Sequence, residues 1–224
     1  MNEALHLHPI DWGIVGPALV AALLVLATHV PLGRQVLRKG IVFIDLAIAQ
    51  IAGLGLIAAH TLGWEPQGWA VQATAMAAAA GGALLMTWME RRWPDIQEAL
   101  IGTLFVLASS IGILLLAHNP HGGEHLQDLL VGQVLWVTTS QLQTMAGLTA
   151  VLLAVWFGLG ERLGRTGFYL LFAVAVTASV QLVGVYLVFS SLIMPALAVR
   201  HLSPRAALLA GWLTGGMGCL LGLC

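Results

Sequence analysis

The chain has 224 residues, of which 59% are hydrophobic and 8% charged, against about 25% charged residues in soluble domains. That leaves too little polar surface to keep a fold of this size in solution, which excludes a soluble globular protein. The net charge of −1 offers no attraction to nucleic acid or to an acidic partner.

The N-terminal stretch Met1–Trp12 carries Glu3 and Asp11 and no basic residue, and the apolar run after it reaches His29 without a small-residue cleavage site. It is expected to be a retained helix, not a removed signal. A spanning helix needs about 20 mostly apolar residues. Segments of about that length follow in order: Ile14–Pro31, Gly40–Thr61, Trp69–Met89, Ile96–Ala117, Gln141–Gly160, Gly167–Leu182, Val185–Val199 and Ala206–Cys224. The sixth and seventh are short and must be joined by a tight turn near Gly184. Leu126–Thr139 is too short and too amphipathic to span and is expected along the outer surface. Cys219 and Cys224 share the last segment, face different sides of one helix, and form no disulfide framework.

All nine Lys and Arg residues fall in alternate breaks between these segments: Arg34, Arg38 and Lys39; Arg91 and Arg92; Arg162 and Arg165; Arg200 and Arg205. Short cytoplasmic loops retain positive charge, so this sorting predicts an all-α polytopic membrane bundle of about eight transmembrane helices with its N-terminus external. Tryptophans mark the two interfaces, Trp12, Trp64, Trp69 and Trp136 outside and Trp88, Trp93 and Trp156 inside. The chain is expected to form one transmembrane domain, residues 1–224. Runs of small residues such as Ala75–Gly82 suit either tight static packing or helices that slide in a transport cycle.

Asp45 is the acidic residue placed deepest in an apolar segment, about 8 Å in from the basic end of the second helix. Ala49, Ala52 and Gly53 continue its helix face, as the wall of a permeation path would. A buried carboxylate is costly and should have a partner, either a transported cation or Arg38 or Lys39. In the outer loop His118–His125, three histidines (His118, His121 and His125) crowd with Glu124. These are donors suited to zinc and neighbouring transition metals. Pro120, Gly122 and Gly123 make the loop flexible, which suits either transient capture or a solvated polar loop that happens to contain histidines. Gln50, Gln133 and Gln181 are uncharged polar groups suited to packing or to lining a cavity, with Gln50, though turned away from the Asp45 face, a weaker candidate for the metal. His29 and His201 read as inner-interface residues, and the Ser190–Ser191 pair as hydroxyls bonded to their own helix backbone. Neither a nucleophile–base pair nor a phosphate-binding loop is visible, so no enzyme activity and no ATP site are expected, and no cofactor is expected to be permanently bound.

Three segments together resemble the permease subunits of bacterial ABC importers for zinc and manganese. They are Arg38–Asp45 (RKGIVFID), Glu98–Gly102 (EALIG) and, most specifically, Leu182–Ala196 (LVGVYLVFSSLIMPA). A weaker match, Asp128–Gly132 (DLLVG), lies where members carry a leucine-rich glycine segment. The resemblance runs along essentially the whole chain. It implies a multi-pass subunit of the bacterial inner membrane, paired as a homodimer within membrane lipid. It also implies a cytoplasmic ATPase subunit and an external metal-binding protein as partners. Asp45 then corresponds to the family's metal-contacting Asp, and the inner loop with Glu161, Arg162 and Arg165 to the ATPase-coupling segment. Four residues after that Asp the family has a histidine, where this chain has Ala49. The inner loop is shorter than usual, and the chain stops at Cys224 where members continue. A stand-alone secondary transporter using Asp45 as its ion-coupling carboxylate, and a truncated non-transporting form, are the alternatives.

Overall fold

The computed structural model describes residues 12–64, 69–117, 132, 134–202 and 204–223. Among them it has seven α-helices: α1 (Trp12–Lys39), α2 (Ile44–Thr61), α3 (Trp69–Arg92), α4 (Gln97–Leu116), α5 (Thr139–Leu159), α6 (Gly164–Ala198) and α7 (Pro204–Leu223). Helices are the open-chain way to satisfy backbone groups in lipid. Five of them, α1, α3, α4, α5 and α6, are long and apolar enough to cross a bilayer, while α2 and α7 are shorter apolar helices.

The bounds differ from the sequence-based expectation where backbone chemistry intervenes. α1 runs through Pro31 to Lys39 because a membrane helix accepts an internal proline when its neighbours pack around it. Gly40, at φ 70°, then ends it, and a turn closed by Ile41 N–H to the Val36 carbonyl delays α2 to Ile44. α5 opens on a capping box: the Thr138 hydroxyl accepts from the Gln141 N–H, and the Gln141 side chain accepts from the Thr138 N–H at 2.9 Å. Between α4 and α5 the described structure is Gly132 and a 3-10 turn, Val134–Trp136, whose Trp136 is exposed.

α6 has 35 residues and one non-helical position, Gly184, at φ 78° and ψ 165°. Run straight, it would extend about 52 Å. Instead Leu192 and Ala196 pack directly against Gly33, about 9 Å from the Lys39 end of α1. The arm after Gly184 therefore turns back towards that end, and α6 supplies the sixth and seventh of the eight expected passes. α7 then runs antiparallel to α1, with Gly211 on Val30, Gly215 on Leu26 and Gly216 on Leu23.

The ends of the helices agree with the charge sorting. Lys39 Nζ lies 2.8 Å from Glu90 Oε1, and Arg165 Nε lies 3.9 Å from the same oxygen. Lys39 also sits 5.5 Å from the ring centroids of Phe168 and Tyr169. Gln97 donates to the Tyr169 hydroxyl at 2.7 Å. The C-terminal ends of α1 and α3 and the N-terminal ends of α4 and α6 thus meet at one basic end of the bundle. The core lies along α6, packed against α1 on one side and α2 and α3 on the other. At Gly55 an added Cβ would meet the Ala78 Cβ at 2.7 Å, and at Gly82 the Ile51 Cδ1 at 2.9 Å. The small residues of α2 and α3 here serve close backbone approach.

Candidate functional site: the buried carboxylates at the basic end

Asp45 lies in the first turn of α2, not several residues inside it. The late start of the helix at Ile44 accounts for the difference, and an acidic residue there is favoured by the helix dipole. It is nevertheless 1% exposed, and neither carboxylate oxygen has a hydrogen-bond partner. The backbone N–H groups of Asp45 and Leu46, in its own helical turn, interact favourably with the carboxylate. Lys39, one of the basic partners expected for it, is committed to Glu90 instead.

Glu98 enters the same place from the first turn of α4. Its Oε1 accepts the Phe43 N–H at 3.1 Å, at the start of α2, and its Oε2 is buried without a partner. The two carboxylates lie within electrostatic reach of each other. Three carboxylate oxygens without partners therefore cluster where α2 and α4 begin. Glu98 carried no assigned role in the sequence reading. The signal for it was a lone acid opening an apolar helix, a pattern that a dipole-stabilising residue shows equally.

Ala49 and Gly53 do continue from Asp45 into a cleft, together with Gln50, Leu54 and Ile57 of α2, Ala108, Ser109, Gly112 and Ile113 of α4, and Val185. Gln50, expected to turn away from the Asp45 face, is thus on the cleft wall beside Ala49. The cleft offers about 10 Å³, room for about one water. Its far end reaches Val185, next to the Gly184 reversal. There the backbone of Gly132 presses against Val183 and Gly184 so closely that a Cβ at Gly132 would collide with them.

His118, His121, Glu124 and His125 lie outside the described residues, as do Gln133 and the side chains of Glu161 and Arg205. The Gly160–Leu163 turn and the start of α6 place Arg162 and Arg165 at the basic end, both exposed. Gln181 is exposed, and the Ser190 and Ser191 hydroxyls bond the Tyr186 and Val188 carbonyls of their own helix at 2.8 and 2.9 Å. His29 is not an interface residue. It is fully buried in α1, its Nδ1 is 2.7 Å from the Val25 carbonyl, and its Nε2 has no partner. The extension of α1 past Pro31 carries His29 about 15 Å from the Lys39 end. His201, by contrast, is exposed and bonded to Arg200.

Comparison with known proteins places this arrangement. The description of the ABC 3 transport family matches residues 12–163. An uncharacterized membrane protein of Synechocystis sp., slr2045, is 26% identical over 215 residues, covering 88% of this chain and 74% of that protein. Among solved structures, PsaBC from Streptococcus pneumoniae in complex with Fab superposes with a TM-score of 0.72 at 19% identity, over 93% of this chain and 80% of the other. A transporter assigned to the metal-chelate ABC type, in an inward-facing conformation, gives a TM-score of 0.70 at 17% identity, over 98% and 80%. The two superpositions show a shared fold. With a profile match over more than half its length, this multi-pass membrane chain belongs to the ABC 3 transport family and is a transport component.

Proposed function

We propose that the chain is the permease subunit of an ATP-driven importer for a divalent transition metal ion, zinc or manganese, in the bacterial inner membrane. The observation that carries this reading is Asp45: a fully buried carboxylate with no partner among the described residues, in a chain of a transport family. A charge held in such a place is costly unless a cation meets it. The metal passes as substrate, with no resident cofactor. A separate ATPase pair supplies the energy, an external binding protein delivers the ion, and a second copy of the chain completes the path. The exposed apolar side chains of α4 and α5, among them Leu107, Leu114, Val151 and Phe157, face lipid or that second copy. Reconstitution of the chain with its ATPase and binding protein in proteoliposomes should give metal uptake that requires ATP. Uptake driven by an ion gradient with the chain alone would establish the secondary-transporter alternative.

In this scheme the Glu161–Gly167 loop, together with the Arg200–Arg205 turn, receives the ATPase stroke. Arg165 and Lys39 share the Glu90 carboxylate, so a push on the loop reaches α6, α3 and α1 together. Reversing the charges of Arg162 and Arg165 is expected to lower copurification with the ATPase severalfold, while the detergent-solubilised permease keeps its helicity and melting midpoint. Unchanged copurification and transport would remove this loop from the docking surface.

The histidine loop acts as a capture device ahead of the path. Replacing His118, His121 and His125 by Ala should slow uptake severalfold when the metal is scarce and leave it near normal when the metal is abundant. An equal loss at both concentrations would place these residues in the obligatory path. Because imidazole loses its lone pair below about pH 6.5, the difference between parent and variant should shrink as the external pH falls below that value.

A further inference from the structure

Family resemblance assigns one carboxylate, Asp45, to the metal and a histidine four residues later, which this chain lacks. Ala49 is 3% exposed and offers no donor atom. No group of three or more His, Cys, Asp or Glu side chains stands together among the described residues, so no imidazole or thiolate replaces the missing ligand there. What the structure brings to Asp45 instead is Glu98, from a different helix.

The geometry of Glu98 separates its two oxygens by task. Oε1 holds the Phe43 N–H at 3.1 Å and so fixes the carboxylate two residues before Asp45 in the chain. Oε2 is left buried and unpaired, as are both oxygens of the almost fully buried Asp45. Asp45 is out of water and Glu98 is half-buried with one oxygen, Oε2, sealed off. Within electrostatic reach the two carboxylates repel each other, and a free lone pair costs more the deeper it lies. A divalent cation between them removes both penalties at once. The nearest lysine does not, because Lys39 is held by Glu90.

The donor set also discriminates among metals. Zinc is held in proteins chiefly by imidazole and thiolate, whereas carboxylate and water oxygens suit manganese. Two carboxylates completed by water make an open, moderate site, the kind an ion in transit can leave.

We propose that Glu98 and Asp45 together form a two-carboxylate station for the transported ion at the basic end of the bundle, and that this station makes manganese the substrate in preference to zinc. The inference deepens the importer reading and rests on it.

The test uses the full chain with its ATPase in lipid nanodiscs, without nucleotide, and follows loss of the free Mn²⁺ paramagnetic resonance signal on titration with Mn²⁺ alone, then with Zn²⁺ as competitor. Glu98→Gln is the informative variant, since its amide oxygen still accepts the Phe43 N–H while the charge is lost. Mn²⁺ affinity is expected to fall at least about tenfold in Glu98→Gln, as ligand charge count sets affinity at such sites, with ATPase copurification unchanged. Ala49→His, which adds an imidazole on the Asp45 face, is expected to move the competition towards Zn²⁺ and gives a second readout that does not alter Glu98. Mn²⁺ affinity that is lost in Asp45→Asn but unchanged in Glu98→Gln would overturn the proposal, reducing Glu98 to a helix cap and leaving the importer reading intact. Parent protein that prefers Zn²⁺ would overturn the manganese assignment in the same way. Failure of the importer reading looks different: neither ion binds the parent, and the reconstituted assembly takes up neither.

Discussion

Asp45→Asn is expected to reduce metal uptake by the complete assembly to background, a loss of about two orders of magnitude or more, comparable to the upper range seen when the environment of a metal ligand is disrupted. The amide keeps the shape of the carboxylate and loses its charge. Folding should survive, and the melting midpoint should hold or rise, because an ionised group buried without a partner is itself destabilising. The structure sharpens this expectation. Had Asp45 been paired with Lys39, the substitution would strand a lysine and the transport defect would be mild; but Lys39 has its own partner, Glu90, at 2.8 Å. The measurement is radiolabelled metal uptake, with expression and ATPase copurification followed in parallel. Normal uptake at normal expression would remove Asp45 from the ion path.

The second large effect is expected at Gly184. Its φ of 78° and ψ of 165° lie in a region that is essentially glycine-only, with a cost of about 1–3 kcal/mol for a residue forced there. Relaxation of the backbone is blocked because Gly132 is pressed against Val183 and Gly184. Gly184→Ala should therefore disturb the reversal that returns Leu192 and Ala196 to Gly33. The expected result is a melting midpoint several degrees lower in detergent, or failure to accumulate in the membrane, with transport lost in either case. Gly147→Ala is the matched control. An added Cβ there meets nothing within 4 Å, and alanine is favoured over glycine within a helix, so stability should be equal or higher. A Gly184→Ala protein as stable and active as the parent would show that the reversal does not depend on this glycine.

Much of the fold was legible because lipid imposes a one-dimensional rule. Segment length and hydropathy identify spans, and the sorting of Lys and Arg orders them. The pairing of segments six and seven about Gly184 followed from the same rule: Arg165 and Arg200 on one side require an even number of passes between them. Helix ends were less legible. Pro31 reads as a stop by its missing N–H, yet α1 continues to Lys39, and the reversal of chain direction after Gly40 moved the start of α2 to Ile44. Such shifts come from packing and turn closure, which local composition does not encode.

The candidate site divides along the same line. A carboxylate in an apolar segment is conspicuous in one dimension, so Asp45 was visible, and hydroxyls spaced to bond their own helix, as at Ser190 and Ser191, were visible too. Partnership is a property of three dimensions. Residues 53 positions apart, Asp45 and Glu98, come within electrostatic reach only because α2 and α4 pack side by side, with the Glu98 carboxylate bonded to the Phe43 N–H just before α2. That Lys39 goes to Glu90, that Gln50 lines a cleft, and that His29 is sealed in the core of the bundle were likewise decided by helix packing. By itself the sequence determined the class, the topology and the residue whose charge is hardest to hide, since the cost of burying charge in lipid is large and local. Only the tertiary structure decided that Lys39 does not answer that charge and goes to Glu90 instead, because hydrogen bonds and ion pairs act over a few ångströms and depend on which helix faces are pressed together.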